Sequence, residues 1–454
     1  MAYAAEQTVS VQSIDTVVKH MMQEQHLPGV AVAVMQQGQI AFSKGYGYAN
    51  LELRTPVQPK TVFQSASVGK MFTATAIMLL VEDGKLSLDD KVTQFFPAAP
   101  PSWRDMTVRH LLSHTSGVSE DAYLSLDLRQ DYSDAKLLEI FRSWPLDFAP
   151  GTSYRYSNPG YVLLGMLIHK RTGLFYGDFL KQRVFQPAGM TSARVNDIRA
   201  IVSDRASGYV LGDDGRLLKD KWVSPSLSVT ADGSLLFTVL DLAKWDAALR
   251  SGTLLKPGNL QLMWQAGPLL DGSRDPSNYG FGWATSFVRG HRMVAHSGSW
   301  QGFTTYLARY VDDDLSVAVL TNLGQGDPGR LAHAIAGTVM GELAPYTVIG
   351  DAEPAPTARL QRILHAYLDG RIDEEGYTAE ALENWNHAQH RRDARSIGKL
   401  DATAALRLVE ARRDGEFVWH VYRIAETESR PAQLVRFALT QDGKVQRLSF
   451  QPDY

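Results

Sequence analysis

Ser65-Ala66-Ser67-Val68-Gly69-Lys70-Met71-Phe72-Thr73-Ala74-Thr75-Ala76-Ile77-Met78-Leu79-Leu80 is the stretch that decides the fold. Val62-Phe63 and small residues lead into Ser67, and the most apolar helical run of the chain follows it. That run, Val68 to Asp83, is ended by Gly84. Residues three apart on a helix share a face, so the Lys70 amine sits beside the Ser67 hydroxyl. The positive end of the helix dipole favours a developing alkoxide there. A lysine accepts a proton only while it is neutral, and burial or nearby cations lower its pKa for that purpose. So apolar a helix calls for burial, which holds the pair rigid and dry.

Before this stretch, residues 13–25 read as an amphipathic helix. Val30–Met35 and Gln39–Gly45 read as a β-hairpin around Gln36-Gln37-Gly38. After it, the chain is mainly helical to about residue 250, with the helical period in Lys136–Trp144, Tyr161–Thr172 and Thr238–Arg250. Strand signals return at Phe281–Phe287, Arg292–His296, Thr304–Tyr310 and Leu315–Asn322. Strands therefore lie at both ends of the first 345 residues. The simplest α/β (α+β) solution is one antiparallel sheet flanked by helices, with an all-helical lobe inserted. The join between sheet and lobe is a natural cleft.

A Pro/Ala linker, Asp351-Ala-Glu-Pro-Ala-Pro-Thr357, marks a boundary. The expected organisation is a tail over 1–12, a large domain over 13–345, a linker over 346–357 and a small α+β domain over 358–454. In that last part, helices are expected near Ala358–Asp369 and Thr378–Arg391. Strands follow at Ala405–Arg412, Phe417–Ile424, Leu434–Thr440 and Val445–Phe450, with hairpin turns at Asp414-Gly415 and Asp442-Gly443.

The net charge of −3 comes without a basic stripe, which argues against a nucleic-acid partner. The absence of cysteine excludes disulfides, thiolate zinc sites and a cysteine nucleophile. No run is long and apolar enough to span a membrane. Ala2-Tyr3-Ala4 has the small-x-small form of a signal-peptidase site, so the tail reads either as a signal-peptide remnant or as a disordered alanine-rich tail, and the family resemblance given below favours an exported, periplasmic or secreted protein.

S-x-x-K alone is weak, because Ser133–Lys136 and Ser396–Lys399 also fit it. Ser133 starts a short amphipathic helix whose lysine faces solvent, and Ser396 lies in the small domain. Two further elements carry the chemistry. Tyr156-Ser157-Asn158 supplies a phenol that can relay protons and an amide that can bind a carbonyl or orient the lysine. Asn158-Pro159-Gly160 reads as a turn that presents the side chain at a cleft rim. His296-Ser297-Gly298 ends a strand and leads into Ser299-Trp300-Gln301-Gly302. A strand edge there can donate a backbone N–H to an oxyanion, and Gly298 allows close approach.

These three elements, in this order, resemble the serine β-lactamase and penicillin-binding-protein superfamily, whose better-known signature is S-x-x-K, S-D-N and K-T-G. The Y-x-N and H-x-G forms resemble the branch with class C β-lactamases, D-stereospecific peptidases and family VIII-type esterases. Leu111-Leu112-Ser113-His114-Thr115-Ser116-Gly117 and Tyr279-Gly280-Phe281-Gly282-Trp283 also resemble that branch. The small domain resembles, more weakly, appended NTF2-like modules. The resemblance implies that Ser67 forms an acyl-enzyme and that Lys70 and Tyr156 move protons. It implies that Asn158 touches the substrate, and that His296 orients Tyr156 or binds substrate. It places the oxyanion hole at the N–H groups of Ser67 and Ser299, beside Ser297 and Gly298. Class C enzymes carry lysine where His296 stands. A mostly neutral histidine suits a substrate carboxylate poorly. The expectation is therefore an esterase or D-peptidase with weak or no β-lactamase activity, acting on a small ester or D-amino-acid peptide.

No cofactor or metal is expected. His110 and His114 lie four apart but lack a third ligand and an H-E-x-x-H frame. His387 and His390 read as a solvated face among arginines, and Asp312-Asp313-Asp314 as a hairpin turn. No G-x-S-x-G elbow occurs. Two rival readings keep the fold: an acyltransferase or macrocyclase in which an amine intercepts the acyl-enzyme, and a catalytically silent binding or sensor module.

Overall fold

The computed structural model describes residues 10–273, 277–344, 354–383, 385, 390, 397, 406–414, 417–424 and 433–452. Ala2-Tyr3-Ala4, linker residues 346–353, His387, the Ser396–Lys399 pair and Gly415 lie outside the described residues. The chain divides into two compact units, Met1–Leu343 and Ala344–Tyr454.

The first unit contains α1 (Val11–Glu24), β1 (Gly29–Gln36), β2 (Gln39–Asn50), α2 (Gly69–Glu82), α3 (Asn158–Thr172) and α4 (Val239–Arg250). Then follow β3 (Ala284–Val288), β4 (His291–Trp300), β5 (Phe303–Tyr310), β6 (Leu315–Thr321) and α5 (Pro328–Val339). One seven-stranded sheet runs in the order Thr55–Pro56, β2, β1, β6, β5, β4, β3. Its pairings are antiparallel, and β1 joins β6 from Val30↔Thr321 to Gln36↔Leu315. The two ends of the unit thus meet in one sheet, with the helical lobe between β2 and β3.

β1 is buried on both faces, as a central strand between helix layers must be. Val30, Val32 and Val34 pack with α1 and α5 through Ile14, Val18, Leu331 and Ile335. Ala31, Ala33 and Met35 face the larger core that holds α2 and α4. In that core Phe72 stacks on Trp245 with centroids 4.2 Å apart, and Trp245 stacks on Trp283 at 5.5 Å. Every residue of α2 from Gly69 to Leu80 is buried. A helix apolar on all sides has nowhere else to go. A buried ion pair ties the sheet to α4: Arg309 Nη1 on β5 meets Asp246 Oδ1 at 2.5 Å, and Ser316 Oγ on β6 donates to the same oxygen at 2.6 Å.

The structure moves several expected boundaries. β4 does not end at His296 but runs to Trp300, because the two-residue turn is Gln301-Gly302. β3 starts at Ala284 rather than Phe281. Gly282 has φ +78°, and a Cβ there would lie 3.0 Å from the Lys70 carbonyl, so the chain bends past α2. Asn158-Pro159-Gly160 is not a turn. Ser157 caps α3 by accepting the Gly160 N–H at 3.2 Å, and proline is tolerated in a first helical turn, so Asn158 opens the helix.

The second unit has α6 (Pro354–Leu368) and a four-stranded antiparallel meander, β7 (Arg407–Asp414), β8 (Phe417–Ile424), β9 (Gln433–Leu439) and β10 (Val445–Pro452). Leu360, Ile363, Leu364, Tyr422, Val435 and Phe437 form its core. α6 begins inside the stretch read as linker, at Pro354, since proline suits a first helical turn. Of the helix expected over Thr378–Arg391, Ala379–Glu383 is observed. His390 is 5% exposed and packs on Tyr367 and Trp385, which corrects its reading as a solvated face. No helix among the described residues is long and apolar enough to cross a membrane.

Candidate active site

Ser67 sits in a tight 3-10 turn, Ala66–Val68, that feeds α2. Ala66 has φ +44°, a strained value for a residue with a Cβ. The flanking residue is braced to hold it. Ser65 N–H donates to the Leu235 carbonyl at 2.8 Å, and Ser65 Oγ donates to the Gly233 carbonyl at 2.8 Å. Thr305 Oγ1 on β5 donates to the Ser65 carbonyl at 2.7 Å. A Cβ on Gly298 would lie 2.7 Å from the Ser67 nitrogen, so β4 runs directly against the serine amide.

Lys70 is fully buried and aims its amine at three oxygens. Ser67 Oγ lies at 3.1 Å, Asn158 Oδ1 at 2.7 Å and the Asp232 carbonyl at 2.5 Å. Burial pushes the amine down to about 8, with Asp232 and Glu120 pulling it back up. Asn158 is clamped by a single carboxylate. Its N–H donates to Glu120 Oε2 at 2.7 Å and its Nδ2 to Glu120 Oε1 at 2.6 Å. Because Nδ2 must face the carboxylate, Oδ1 faces the lysine.

The Tyr156 ring is half-buried, while its hydroxyl is sealed and lies near Ser67. Burial pushes this phenol up, and the nearby Ser67 opposes the shift. Lys70 Nζ lies 4.9 Å from the Tyr156 ring centre. His296 does not bond to Tyr156. Its Nδ1 faces the Ser297 carbonyl at 2.5 Å, which only accepts, so Nδ1 carries the proton. Nε2 then accepts from the Tyr279 hydroxyl at 2.8 Å. Burial, and then Lys70, push His296 down to about 3, so the ring is neutral near pH 7.

The turn after β4 decides which backbone groups face the serine. Gln301 and Gly302 both have positive φ, +47° and +75°. In such a two-residue hairpin the flanking pair, Trp300 and Phe303, is hydrogen-bonded, and the next pair, Ser299 and Thr304, is not. The N–H and C=O groups of Ser299 and Ser297 therefore point away from β5. β3 pairs only with residues 291–295 of β4, which leaves this edge open among the described strands. Ser67 and Ser299 line one small cavity together with Tyr123, Asn158, Asp232 and Trp300.

All eight expected site residues, Ser67, Lys70, Tyr156, Asn158, His296, Ser297, Gly298 and Ser299, thus come to one region. Ser133 and Lys136 do not. Ser133 caps a helix by accepting the Lys136 N–H, and Lys136 pairs with Glu139 in solvent. Four further residues belong to the site: His114, Glu120, Asp232 and Tyr279. His114 is 0% exposed and stacks on Tyr156 with centroids 4.2 Å apart. Its Nδ1 accepts the Ser157 N–H at 3.1 Å, and burial followed by Lys70 holds it well below the usual histidine range. Among the described residues no three His, Asp or Glu side chains gather as a metal cage.

Residues 14–339 match the family model described as Beta-lactamase. Penicillin-binding protein 4* of Bacillus subtilis (strain 168) is 31% identical over 321 residues, covering 66% of this chain and 69% of that one. The chain spans 61% and 63% of the length of further curated relatives. An octameric penicillin-binding protein homologue from Pyrococcus abyssi superposes with a TM-score of 0.65 at 25% identity, over 97% of this chain and 95% of that one. The D-amino acid amidase of Ochrobactrum anthropi SV3, complexed with D-phenylalanine, superposes with a TM-score of 0.63 at 27% identity, over 73% and 98%. A fold, a site geometry and a family model that agree over this length lead to one conclusion: the chain belongs to the beta-lactamase family of penicillin-binding-protein-like serine hydrolases.

Proposed function

We propose that the protein hydrolyses esters or D-amino-acid amides through an acyl-enzyme on Ser67. The observation that carries this reading is the set of contacts around the Lys70 amine. Two of its three neighbours, Asn158 Oδ1 and the Asp232 carbonyl, only accept hydrogen bonds. A neutral amine has two N–H groups for them and one lone pair left over. In that neutral form the lone pair is left for the Ser67 hydroxyl, 3.1 Å away.

As Ser67 Oγ attacks the substrate carbonyl carbon, its proton moves to Lys70 Nζ. The N–H groups of Ser67 and Ser299 take the oxyanion. Tyr156, kept as a neutral phenol by burial, donates its proton to the leaving alcohol or amine as the C–O or C–N bond breaks. Lys70 returns its proton to Tyr156. Water then attacks the ester by the same route reversed, freeing the acid and Ser67. The likeness to a D-amino acid amidase supports the substrate class. A neutral His296 offers no charge to the carboxylate of a β-lactam, so β-lactamase activity is weak or absent in this reading.

A panel tests it: p-nitrophenyl acetate, D-phenylalanine amide and a chromogenic cephalosporin, each with wild-type protein and Ser67→Ala. The reading expects Ser67-dependent turnover of the first two well above the third. Cephalosporin turnover faster than both would overturn it.

A further inference from the structure

Asp232 is 8% exposed, and its Oδ1 meets no hydrogen-bond partner among the described residues. It lines the cavity over Ser67. Its backbone carbonyl holds Lys70, its charge acts on the Lys70 amine and Tyr123 reaches its carboxylate, but no group takes up Oδ1. Glu120 differs, since Asn158 engages both of its oxygens. A carboxylate kept from water without a full set of partners is costly until a cation joins it. No lysine, arginine or histidine lines the cavity. His296 is neutral, and Lys70 is committed to three oxygens behind the serine. The cavity therefore offers an unpartnered carboxylate oxygen, and no cationic side chain in its lining, to a bound molecule.

We propose that Asp232 recognises a primary ammonium on the acyl side of the substrate, so that the preferred substrates are amides or esters of amino acids with a free α-amine. Asp232 and Ser67 line the same small cavity, so the carboxylate lies close to the reacting atoms. A group on the carbon next to the scissile carbonyl is within its reach, and a distant one is not. An ammonium is compact and carries three donors, which suits an enclosed single carboxylate. This proposal rests on the reading of Ser67 as nucleophile and names the substrate class for it.

Protection of Ser67 from a fluorophosphonate label tests the two separately. D-phenylalanine amide, its N-acetyl derivative and its N-succinyl derivative are titrated against labelling of the full chain. The proposal expects half-protection by the free amine at a concentration at least about tenfold lower than by the N-acetyl form, with the N-succinyl form weakest. In Asp232→Asn the gap between the first two closes, and in Asp232→Glu part of it returns. Equal or better protection by the N-acetyl form in wild type, or protection by none of the three, overturns the ammonium site while Ser67 remains labelled. Absence of the label from Ser67 overturns the nucleophile reading itself.

Discussion

Lys70 Nζ lies 3.1 Å from Ser67 Oγ while two carbonyl oxygens, at 2.7 and 2.5 Å, occupy its other contacts. Burial pushes this amine down to about 8. The sign of the pH effect follows directly. Below that value the amine is protonated and has no lone pair for the serine proton, and above it the lone pair is free. Acylation should therefore rise with pH through a midpoint near 8, read as the pre-steady-state rate with a p-nitrophenyl ester. Lys70→Arg stays charged and should lose about 100- to 10,000-fold. A rate that is flat across this range, or an active arginine variant, would contradict the role.

Glu120 fixes which end of the Asn158 amide meets the lysine. Glu120→Gln puts one amide NH2 where two donors of Asn158 now find acceptors. Asn158 must then shift or turn, bringing Nδ2 toward Lys70. The expected outcome is a drop in kcat of about tenfold with a smaller change in KM. Steady-state kinetics on an ester read it, and an unchanged kcat would show that the clamp is dispensable.

Gly298 is required by space. An added Cβ would lie 2.6 Å from Thr305 Oγ1, 2.7 Å from the Ser67 nitrogen and 2.8 Å from the Ser65 carbonyl. Gly298→Ala should cost about 1–3 kcal/mol of stability and slow fluorophosphonate labelling as β4 backs away from the serine. Gly258→Ala is the contrast, with no atom near its added Cβ, and should leave both unchanged. Thermal melts and labelling rates of the two variants decide it.

The Arg309–Asp246 pair carries stability rather than chemistry. Asp246→Ala strands a buried guanidinium that is 9% exposed. The cost should be about 3–5 kcal/mol, seen as a lower denaturant midpoint. Removing Glu139, the exposed partner of Lys136, should leave the midpoint where it is.

Much of the site was legible because its residues are ones chemistry singles out. Ser67, Lys70, Tyr156, Asn158 and His296 stand in short spaced patterns beside strong helix or strand signals. The supporting residues were harder for physical reasons. Asp232 reaches Lys70 through a backbone carbonyl, and any residue type has one. Glu120 meets the site by clamping Asn158, 38 positions away in sequence. His114 packs on Tyr156 and accepts the Ser157 N–H, contacts that its spacing from His110 does not signal. Ser297-Gly298-Ser299 carries no strand signal of its own in the sequence. Pairing with β5 carries the strand through His296 on to the true turn at Gln301-Gly302. The α+β nature of the second unit followed from its alternating strands.

Intact-mass analysis after a fluorophosphonate reaction, with peptide mapping of the modified serine, tests the nucleophile most directly. One adduct per chain at Ser67 is expected, abolished in Ser67→Ala and undiminished in Ser133→Ala. An adduct at Ser133, or one that survives the loss of the Ser67 hydroxyl, would contradict the account.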